Sequence, residues 1–369
     1  MKNTEKPAIY SQERNEDKMD IIEVRSAHPY DVLIGRGILD EAGALIEAVS
    51  GQGRFAIIAD DNTAPLYADR LIASLEKAGL GSDLFVFEHG EKSKSPETLG
   101  KIYSFLAKNH YTRTDGIIAL GGGVTGDMAG YASATYLRGM HFVQIPTSLL
   151  SQVDSSVGSK TAIDIPEGKN LVGAFKSPDI VIMDTDTLST LPRSFLIDGM
   201  GEVVKYGMIK SASLFETLRN HNIDNIMDII DDVVAQCVRI KRDVVENDEF
   251  EKGERRLLNF GHTLGHSIEQ YYNYTGISHG RAVAKGMELI TELAAQHGLC
   301  ESSLCDELSS CLKNYELCID IEPTLPQLAQ ATLNDKKRSG SNIGIVVCSG
   351  VGASHVETMP VDDFMGWLN

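Results

Sequence analysis

Residues 116–127 have the sequence GIIALGGGVTGD, and this stretch decides the class of fold. The apolar run 116–120 is typical of a buried strand, and the glycines after it lead into a helical pattern over 126–137. The turn has the spacing G-x-G-x-x-G, in which glycines let the backbone approach a pyrophosphate at the N-terminus of the next helix. The stretch therefore predicts either a dinucleotide site or an ordinary strand–turn–helix connection.

Strands and helices alternate on both sides of this turn, from residue 21 to about residue 185. The predicted strands are 21–25, 31–34, 55–59, 84–87, 116–120, 142–145 and 180–183, and the predicted helices are 38–49, 64–79, 95–108 and 126–137. Such alternation predicts a Rossmann-like α/β domain with a largely parallel, doubly wound sheet.

Helical periodicity dominates after Pro192 and continues to about residue 333, with breaks near Ser211, Asn220, Gly253, Gly276 and Pro323. One apolar run, 343–348, predicts a late strand. We therefore predict a disordered extension over 1–20, an α/β domain over 21–185 and a mainly α-helical domain over 186–369.

The composition excludes several classes of partner. The formal net charge of −18 argues against nucleic acid, because binding a polyphosphate requires a basic face. No apolar run approaches the roughly 18 residues that span a bilayer, and the segment 1–20 is polar and mixed in charge. The six cysteines show no C-x-x-C spacing, which favours reduced thiols. We expect a soluble cytoplasmic protein without nucleic-acid or membrane partners.

Any anionic ligand of so acidic a chain must be bound by a local group of cations and backbone amides. The segments 154–161 and 167–170 combine small polar residues with Lys160 and Lys169. Such segments suit a phosphate, although solvated loops have the same composition. Asp60 follows the strand 55–59 and is a candidate for ribose hydroxyls, because no acidic residue lies about 20 residues after the glycine turn, where one is usual.

The histidines His262 and His266 are four residues apart, and His279 follows soon after them. On a helix the first two share one face, and His279 would come from the turn that opens the next helix. Three imidazoles, or two imidazoles and a carboxylate, fit Zn²⁺ with a fourth position open to a reacting oxygen. Surface histidines and histidines with ordinary hydrogen-bond partners have the same spacing, so the pattern predicts a metal site without deciding its ligands.

The segment GEVVKYG at 201–207 supplies a candidate carboxylate. Glu202 and Lys205 are three residues apart, a spacing that is common for a surface ion pair. Glu202 nevertheless lies among apolar residues, and this makes it the best candidate to complete a metal site.

Taken together, these segments resemble the 3-dehydroquinate synthase family over about residues 30–350. The resemblance depends on Gly90-Glu91 with Lys94, GGGVTGD at 121–127, YLRG at 136–139, PTS at 146–148, DSSVGSKTAID at 154–164, GKNLVGAF at 168–175, GEVVKYG at 201–207, RRLLNFGHTLGHSIE at 255–269, HGRAVAKGM at 279–287 and DKK at 335–337. Each motif is modest alone, but their number and order exclude chance similarity.

The resemblance implies roles for individual residues. The metal ligands would be Glu202, His262 and His279, which leaves His266 for proton transfer and phosphate contact. The NAD contacts would be Asp60, Asn62, Glu91, Lys94, Gly122, Gly123, Val124, Asp127, Thr147, Ser148, Lys160, Lys169 and Thr190. The other catalytic and substrate groups would be Asp154, Lys160, Asn170, Lys205, Lys241, Arg255, Asn259 and Lys336, with Arg138 contributed across the interface of a homodimer.

The resemblance also implies an activity. Family members convert 3-deoxy-D-arabino-heptulosonate 7-phosphate, a sugar phosphate keto acid, to 3-dehydroquinate and phosphate in the shikimate pathway of aromatic amino-acid biosynthesis. The reaction uses transient oxidation by NAD, phosphate elimination, reduction and ring closure, with Zn²⁺ or Co²⁺ bound. The α/β domain would then bind NAD, and the helical domain would bind the metal and the substrate.

Four positions depart from the family pattern: Ser159, Asp164, Ser177 and Arg281. All of them border the charged core of the expected site. Asp164 adds a negative charge near Lys160, so the affinity for phosphate is the property most open to change.

Two other activities remain as alternatives. Another sugar phosphate cyclase, such as a 2-deoxy-scyllo-inosose or valiolone-type synthase, acts on a substrate without a carboxylate, so Lys241 and Arg255 argue against it. A metal-dependent polyol dehydrogenase would lack the phosphate-binding lysines and would accumulate NADH.

Overall fold

The computed structural model describes residues 19–249, 253–336 and 342–368, and for 331–336 it describes the backbone alone. The chain divides into two compact units, Met1–Leu191 and Pro192–Asn369. Of the predicted disordered extension, residues 1–18 lie outside the described residues, and Asp20 already begins the first strand.

The first unit is built on a seven-stranded sheet. Its strands, with those of a separate hairpin, are β1 (Asp20–Val24), β2 (Tyr30–Gly35), β3 (Arg54–Asp60), β4 (Gly81–Phe87), β5 (Gly116–Gly121), β6 (His141–Pro146), β7 (Lys160–Ile165), β8 (Gly168–Phe175) and β9 (Ile180–Asp184). The order in the main sheet is β1-β2-β9-β6-β5-β3-β4, and only the β1–β2 pair is antiparallel. The predicted parallel sheet is therefore confirmed.

Helices cover both faces of this sheet: α1 (Ala42–Ser50), α2 (Ala64–Lys77), α3 (Pro96–Lys108) and α4 (Gly123–Thr135). Because side chains alternate along a strand, β3 supplies two separate cores. Ile57 packs with Leu71 of α2 on one face, whereas Ile58 packs with Leu106 of α3 and Met128 of α4 on the other. The predicted helix over 126–137 begins earlier, at Gly123, because the last glycines of the turn already belong to its first turn.

The antiparallel hairpin of β7 and β8 was not predicted. We expected 154–161 and 167–170 to be loops, either phosphate-binding or solvated, but Lys160 begins β7 and Asn170 lies within β8. The hairpin forms because β7 packs on α4: a Cβ at Gly130 would overlap the Thr161 side chain, and Ile163 joins the same core as Met128. Most of β8 is exposed or half-buried, so it lacks the apolar alternation that predicts a strand.

The second unit is mainly helical, as predicted. Its helices and strands are α5 (Arg193–Lys210), α6 (Ala212–Arg219), α7 (Ile230–Asn247), α8 (His262–Tyr271), α9 (His279–Gln296), α10 (Ser303–Asn314), α11 (Leu325–Lys336), β10 (Asn342–Gly350), β11 (Ala353–Pro360) and α12 (Val361–Trp367). The late strand expected over 343–348 is confirmed as β10, which pairs with β11. We did not predict β11, because most of its residues are exposed or half-buried and its sequence lacks the alternation of apolar and polar residues that predicts a strand.

No helix in the described ranges is long and apolar enough to cross a membrane. No disulfide joins any of the six cysteines, all of which lie in the described parts of the chain.

Candidate active site

Three predicted metal ligands meet in the second unit. Glu202 lies within α5, His262 is the first residue of α8 and His279 is the first residue of α9. Oε1 of Glu202 lies 3.4 Å from Nε2 of His262 and 3.6 Å from Nε2 of His279. The three side chains each bring one possible ligand atom within 4.8 Å of the others, which is the spacing that a single cation needs.

Close packing between helices puts these ligands in place. A Cβ at Gly201 would lie 2.5 Å from the carbonyl O of Gly280, and a Cβ at Gly280 would overlap the carbonyl O of Asp198. Helices α5 and α9 can therefore approach each other at the level of Glu202 and His279 only because both neighbours are glycines. Asp198 also accepts a hydrogen bond from Gly280 N at 2.6 Å through Oδ1, which fixes the start of α9.

His262 is positioned by a third glycine. Gly261 has φ +76, in the left-handed region, and a Cβ there would lie 2.5 Å from Cγ of Met287 on α9. Nδ1 of His262 lies 3.1 Å from the carbonyl O of Phe260. Because that oxygen can only accept, Nδ1 carries the proton and the lone pair of Nε2 faces Glu202.

Glu202 is buried, with 1% of its surface exposed. Its Oε2 accepts a hydrogen bond from Lys205 Nζ, whereas its Oε1 has no hydrogen-bond partner among the described residues. Burial favours the neutral acid, but the Lys205 ammonium and the charged form of His279 outweigh it and hold the pKa of Glu202 well below its usual range. An ionised, buried oxygen between two imidazole nitrogens fits a divalent cation.

The two imidazoles differ in charge. Burial and the Lys205 ammonium lower the pKa of His262 to about 3, so it is neutral and able to act as a ligand. Burial also opposes the charged form of His279, but Glu202 and Glu269 outweigh it and raise the pKa to about 10. A protonated His279 balances these carboxylates, and a bound cation would supply the same positive charge.

His266 lies one turn along α8 from His262, with the two ring centroids 5.4 Å apart. It does not belong to the group of ligand atoms around Glu202. Spacing alone left both histidines open as ligands, and the geometry favours only His262. His266 forms a second possible group with Glu269 and His279, and sequence reasoning missed Glu269 although it lies three residues after His266 on the same helix.

The other substrate residues expected in this unit are mostly buried cations. Lys205, Lys241 and Arg255 are 1%, 5% and 5% exposed. Arg255 donates from Nη1 to the carbonyl O of Glu249 at 2.5 Å. Asn259 ends the same short 3-10 helix, Glu254–Asn259. Lys336 is the last residue of α11, and its side chain lies outside the described residues.

In the first unit, four of the expected NAD contacts lie at one edge of the sheet. Asp60 ends β3, Gly122 follows β5, and Thr147 and Ser148 follow β6. These strands are neighbours in the sheet, so their carboxyl ends share one edge, where nucleotides bind in folds of this kind. Gly122 precedes α4, and no described side chain caps that helix.

Asp60 shapes the turn that carries Asn62. Its Oδ1 accepts hydrogen bonds from Asn62 N at 3.0 Å and from Thr63 N at 2.8 Å.

Two more expected NAD contacts lie on other elements. Val124 lies in the first turn of α4 and is half-buried. Thr190 lies in the 3-10 helix after β9, where its hydroxyl contacts the Tyr67 hydroxyl and donates to Thr187 O at 3.0 Å.

Three further candidates meet around a buried ammonium group. Lys94 Nζ lies 2.5 Å from Asp127 Oδ2 and donates to Asn170 Oδ1 at 2.5 Å. Burial favours neutral Lys94, but Asp127 outweighs it and raises the pKa of the ammonium. Lys169 lies 3.7 Å from Glu91 at the same place. We expected Lys94 and Asp127 at the NAD site and Asn170 at the phosphate, and the three form one hydrogen-bonded group.

Asp164, a departure from the family pattern, supports this group. Its Oδ1 accepts a hydrogen bond from Asn170 N at 2.8 Å, and Asn170 has φ 57, in the left-handed region. Asp164 N donates to Lys94 O at 2.8 Å.

The two remaining substrate candidates of this unit lie nearby in the sequence. Asp154 lies in a single π-helical turn, Ser151–Ser155, and Lys160 begins β7.

Arg138 is exposed in the turn between α4 and β6. Leu137 and Arg138 both have positive φ, 50° and 67°, an uncommon conformation for two successive residues with side chains.

The fold and the histidine–carboxylate centre place the chain in a recognisable class. It is similar to a 2-deoxy-scyllo-inosose synthase solved with carbaglucose-6-phosphate, NAD⁺ and Co²⁺, with a TM-score of 0.85, 24% identity and coverage of 95% of this chain and 99% of that one. It is also similar to a 2-epi-5-epi-valiolone synthase from Streptomyces hygroscopicus subsp. jinggangensis 5008 with NAD⁺ and Zn²⁺ bound, with a TM-score of 0.83, 25% identity and coverage of 95% and 98%. The fold is that of the sugar phosphate cyclases.

Sequence similarity defines the family within this class. Residues 84–198 match the family described as 3-dehydroquinate synthase N-terminal, and residues 199–338 match 3-dehydroquinate synthase C-terminal. A 3-dehydroquinate synthase of Streptococcus suis (strain 05ZYH33) is 42% identical over 343 residues, which cover 92% of this chain and 97% of that protein. The chain belongs to the 3-dehydroquinate synthase family.

Proposed function

We propose that this chain converts 3-deoxy-D-arabino-heptulosonate 7-phosphate to 3-dehydroquinate and phosphate, with NAD and Zn²⁺ or Co²⁺ as cofactors. Family membership supports the activity. The observation that carries the proposal is Glu202, whose ionised, buried Oε1 has no described hydrogen-bond partner and faces Nε2 of both His262 and His279.

Residues of the second unit would hold the metal and act on the substrate. Glu202, His262 and His279 would hold the cation, which when bound stabilises negative charge on substrate oxygens. Lys205 keeps Glu202 ionised by its hydrogen bond to Oε2. Lys241, Arg255 and Asn259 would bind the substrate carboxylate, and His266 would move a proton beside the metal.

Residues of the first unit would hold the nucleotide and the phosphate group. NAD supplies a reversible hydride acceptor when bound, and the turn at Gly122 and Gly123 leaves backbone room for its pyrophosphate. The ion pair of Lys94 with Asp127 holds the ammonium close to Asn170, and so orders the Asn170 amide. Lys160 and Asn170 would bind the substrate phosphate, whereas Asp154 would bind elsewhere on the substrate.

The substrate carboxylate distinguishes this activity from those of other sugar phosphate cyclases. Replacing Arg255 by Ala should weaken binding of the heptulosonate phosphate by about 2–5 kcal/mol, because a desolvated carboxylate would lose its charged partner. Binding of a carboxylate-free analogue should weaken much less. The control Arg239→Ala, which removes an exposed arginine of α7, should leave the affinity for both ligands unchanged. Calorimetric titration measures the affinity of each variant for both ligands. Equal losses for the two ligands in Arg255→Ala would show that Arg255 does not bind the carboxylate.

The proposal includes a cytoplasmic homodimer in which Arg138 acts across the interface. The exposed Arg138, held in a turn beside the exposed Leu137, supports a contact at this position. Mixing Arg138→Ala with His262→Ala chains should restore about one quarter of wild-type activity, because half of the dimers would be mixed and each of these would contain one intact site. Each variant alone should be nearly inactive. Mixtures that stay inactive would show that Arg138 serves its own chain.

A further inference from the structure

Glu269 is a buried carboxylate beside the metal centre, and none of the roles assigned above uses it. It lies on α8, and 8% of its surface is exposed. Its Oε1 lies 3.4 Å from Nδ1 of His279, while Nε2 of the same ring lies 3.6 Å from Oε1 of Glu202. The two nitrogens of His279 therefore face two different carboxylates.

This arrangement decides which nitrogen of His279 can bind a metal. A neutral imidazole carries one proton, and an ionised carboxylate can only accept a hydrogen bond. If Glu269 accepts from Nδ1–H, the lone pair is left on Nε2, which faces Glu202. An acceptor on the second nitrogen also fixes the ring plane of a metal-binding histidine.

His262 shows the same arrangement with a different acceptor. Its Nδ1 faces the carbonyl O of Phe260 at 3.1 Å, and its Nε2 faces Glu202. Each histidine of the centre thus has an acceptor behind it, a backbone carbonyl for His262 and Glu269 for His279. The backbone of His279 is already fixed by the hydrogen bond from Gly280 N to Asp198, so the orientation of the ring is the freedom that remains.

We propose that Glu269 is a positioning residue of the metal centre, which holds His279 with Nδ1 protonated and Nε2 directed at the cation. The inference rests on the metal centre of the proposed function. A competing arrangement is a second cation held by His266, Glu269 and His279, whose possible ligand atoms also lie within 4.8 Å of one another. His266 is exposed, and the shared His279 already faces Glu202, so we assign Glu269 to His279.

The sharpest variant is Glu269→Gln, which keeps the shape of the side chain but can also donate to Nδ1 and so no longer selects one tautomer. Glu288→Gln is the matched control, because the Glu288 side chain is 12% exposed against 10% for Glu269 and forms an ion pair with Lys285. Glu288 lies nine residues after His279 on α9, or about 13 Å along the helix.

Zinc affinity should be measured by competition with a fluorescent chelator, together with zinc content and the ¹⁵N shifts of the histidine rings. We expect one zinc per wild-type chain, affinity about 10–100-fold lower in Glu269→Gln, and no change in Glu288→Gln. The spectra of the wild-type zinc form should show His279 protonated at Nδ1, and this signal should change in Glu269→Gln.

Three results would overturn the assignment. The first is a zinc affinity in Glu269→Gln equal to that of the wild type. The second is an equal loss of zinc affinity in Glu288→Gln. The third is a wild-type chain that binds two zinc ions, one of which is lost in Glu269→Gln. Neither the affinity nor the spectra require turnover. A chain that shows the expected zinc data but releases no phosphate from the heptulosonate phosphate would contradict the proposed function and support the role of Glu269.

Discussion

Glu202 and His266 differ in burial and in partners, and these differences separate their expected roles. Glu202 is buried, ionised and faces two imidazole nitrogens, whereas His266 is exposed beside them. Spacing along the chain treated His262 and His266 alike, because it cannot show which ring faces a residue some 60 positions earlier. The family resemblance assigned only His262 to the metal, and the physical reason for that choice lies in the packing of α5 against α8 and α9.

Replacing Glu202 by Ala should remove most of the bound metal and abolish turnover, because three protein ligands leave no redundancy. His266→Ala should keep the metal but lower the rate by about 10²–10⁴, the usual loss for a positioned proton-transfer group. Elemental analysis of the purified variants, read beside their rates, checks both expectations. Loss of metal in His266→Ala would make His266 a ligand, which spacing alone left open.

Some residue roles give no signal in the sequence. Glu269 follows His266 at helical spacing, but only the structure shows its carboxylate behind His279. Asp164 was expected only to add negative charge near Lys160. In the structure it accepts a hydrogen bond from Asn170 N and stabilises a left-handed residue, a local effect that charge counting does not reveal.

At the scale of elements, the buried strands were predicted to within a few residues because short apolar runs bounded by turn residues are typical of strands in a sheet covered on both faces. The hairpin of β7 and β8 was missed because its polar and glycine-containing segments resemble loops, and β8 buries none of its residues fully. The centre itself depends on a contact between elements, the close approach of α5 and α9 at Gly201 and Gly280. A glycine in a sequence does not show which backbone it approaches.

Replacing Gly280 by Ala tests this contact. The new Cβ would overlap the carbonyl O of Asp198, so α9 must move away from α5 and carry His279 with it. We expect a loss of about 1–3 kcal/mol in the free energy of unfolding, as for other overpacked sites, together with weaker zinc binding. Chemical denaturation and zinc titration measure the two effects.

The control for that change is Gly100→Ala, at an exposed position in α3 where a Cβ would meet nothing within 4 Å. Alanine is about 1 kcal/mol more favourable than glycine inside a helix, so this variant should be neutral or more stable. If Gly280→Ala matched Gly100→Ala in stability and in zinc affinity, the helix contact would not position His279.

At the scale of the whole molecule, each unit supplies a different part of the proposed chemistry. The parallel sheet of the first unit gathers four of the expected NAD contacts at one edge, and the helices of the second unit hold the histidine–carboxylate centre. A catalytic cycle that oxidises and later reduces the same substrate must return NAD to its starting state. The redox balance of the complete enzyme therefore tests the central claim.

The most direct measurement follows phosphate and NADH together after the chain has been stripped with a chelator and supplied again with NAD and Zn²⁺ or Co²⁺. With the heptulosonate phosphate as substrate, we expect many phosphates released per NAD, no net NADH at steady state and no release before the metal is restored. A polyol dehydrogenase would instead accumulate NADH. Stoichiometric NADH accumulation, or no phosphate release with both cofactors present, would contradict the proposed function.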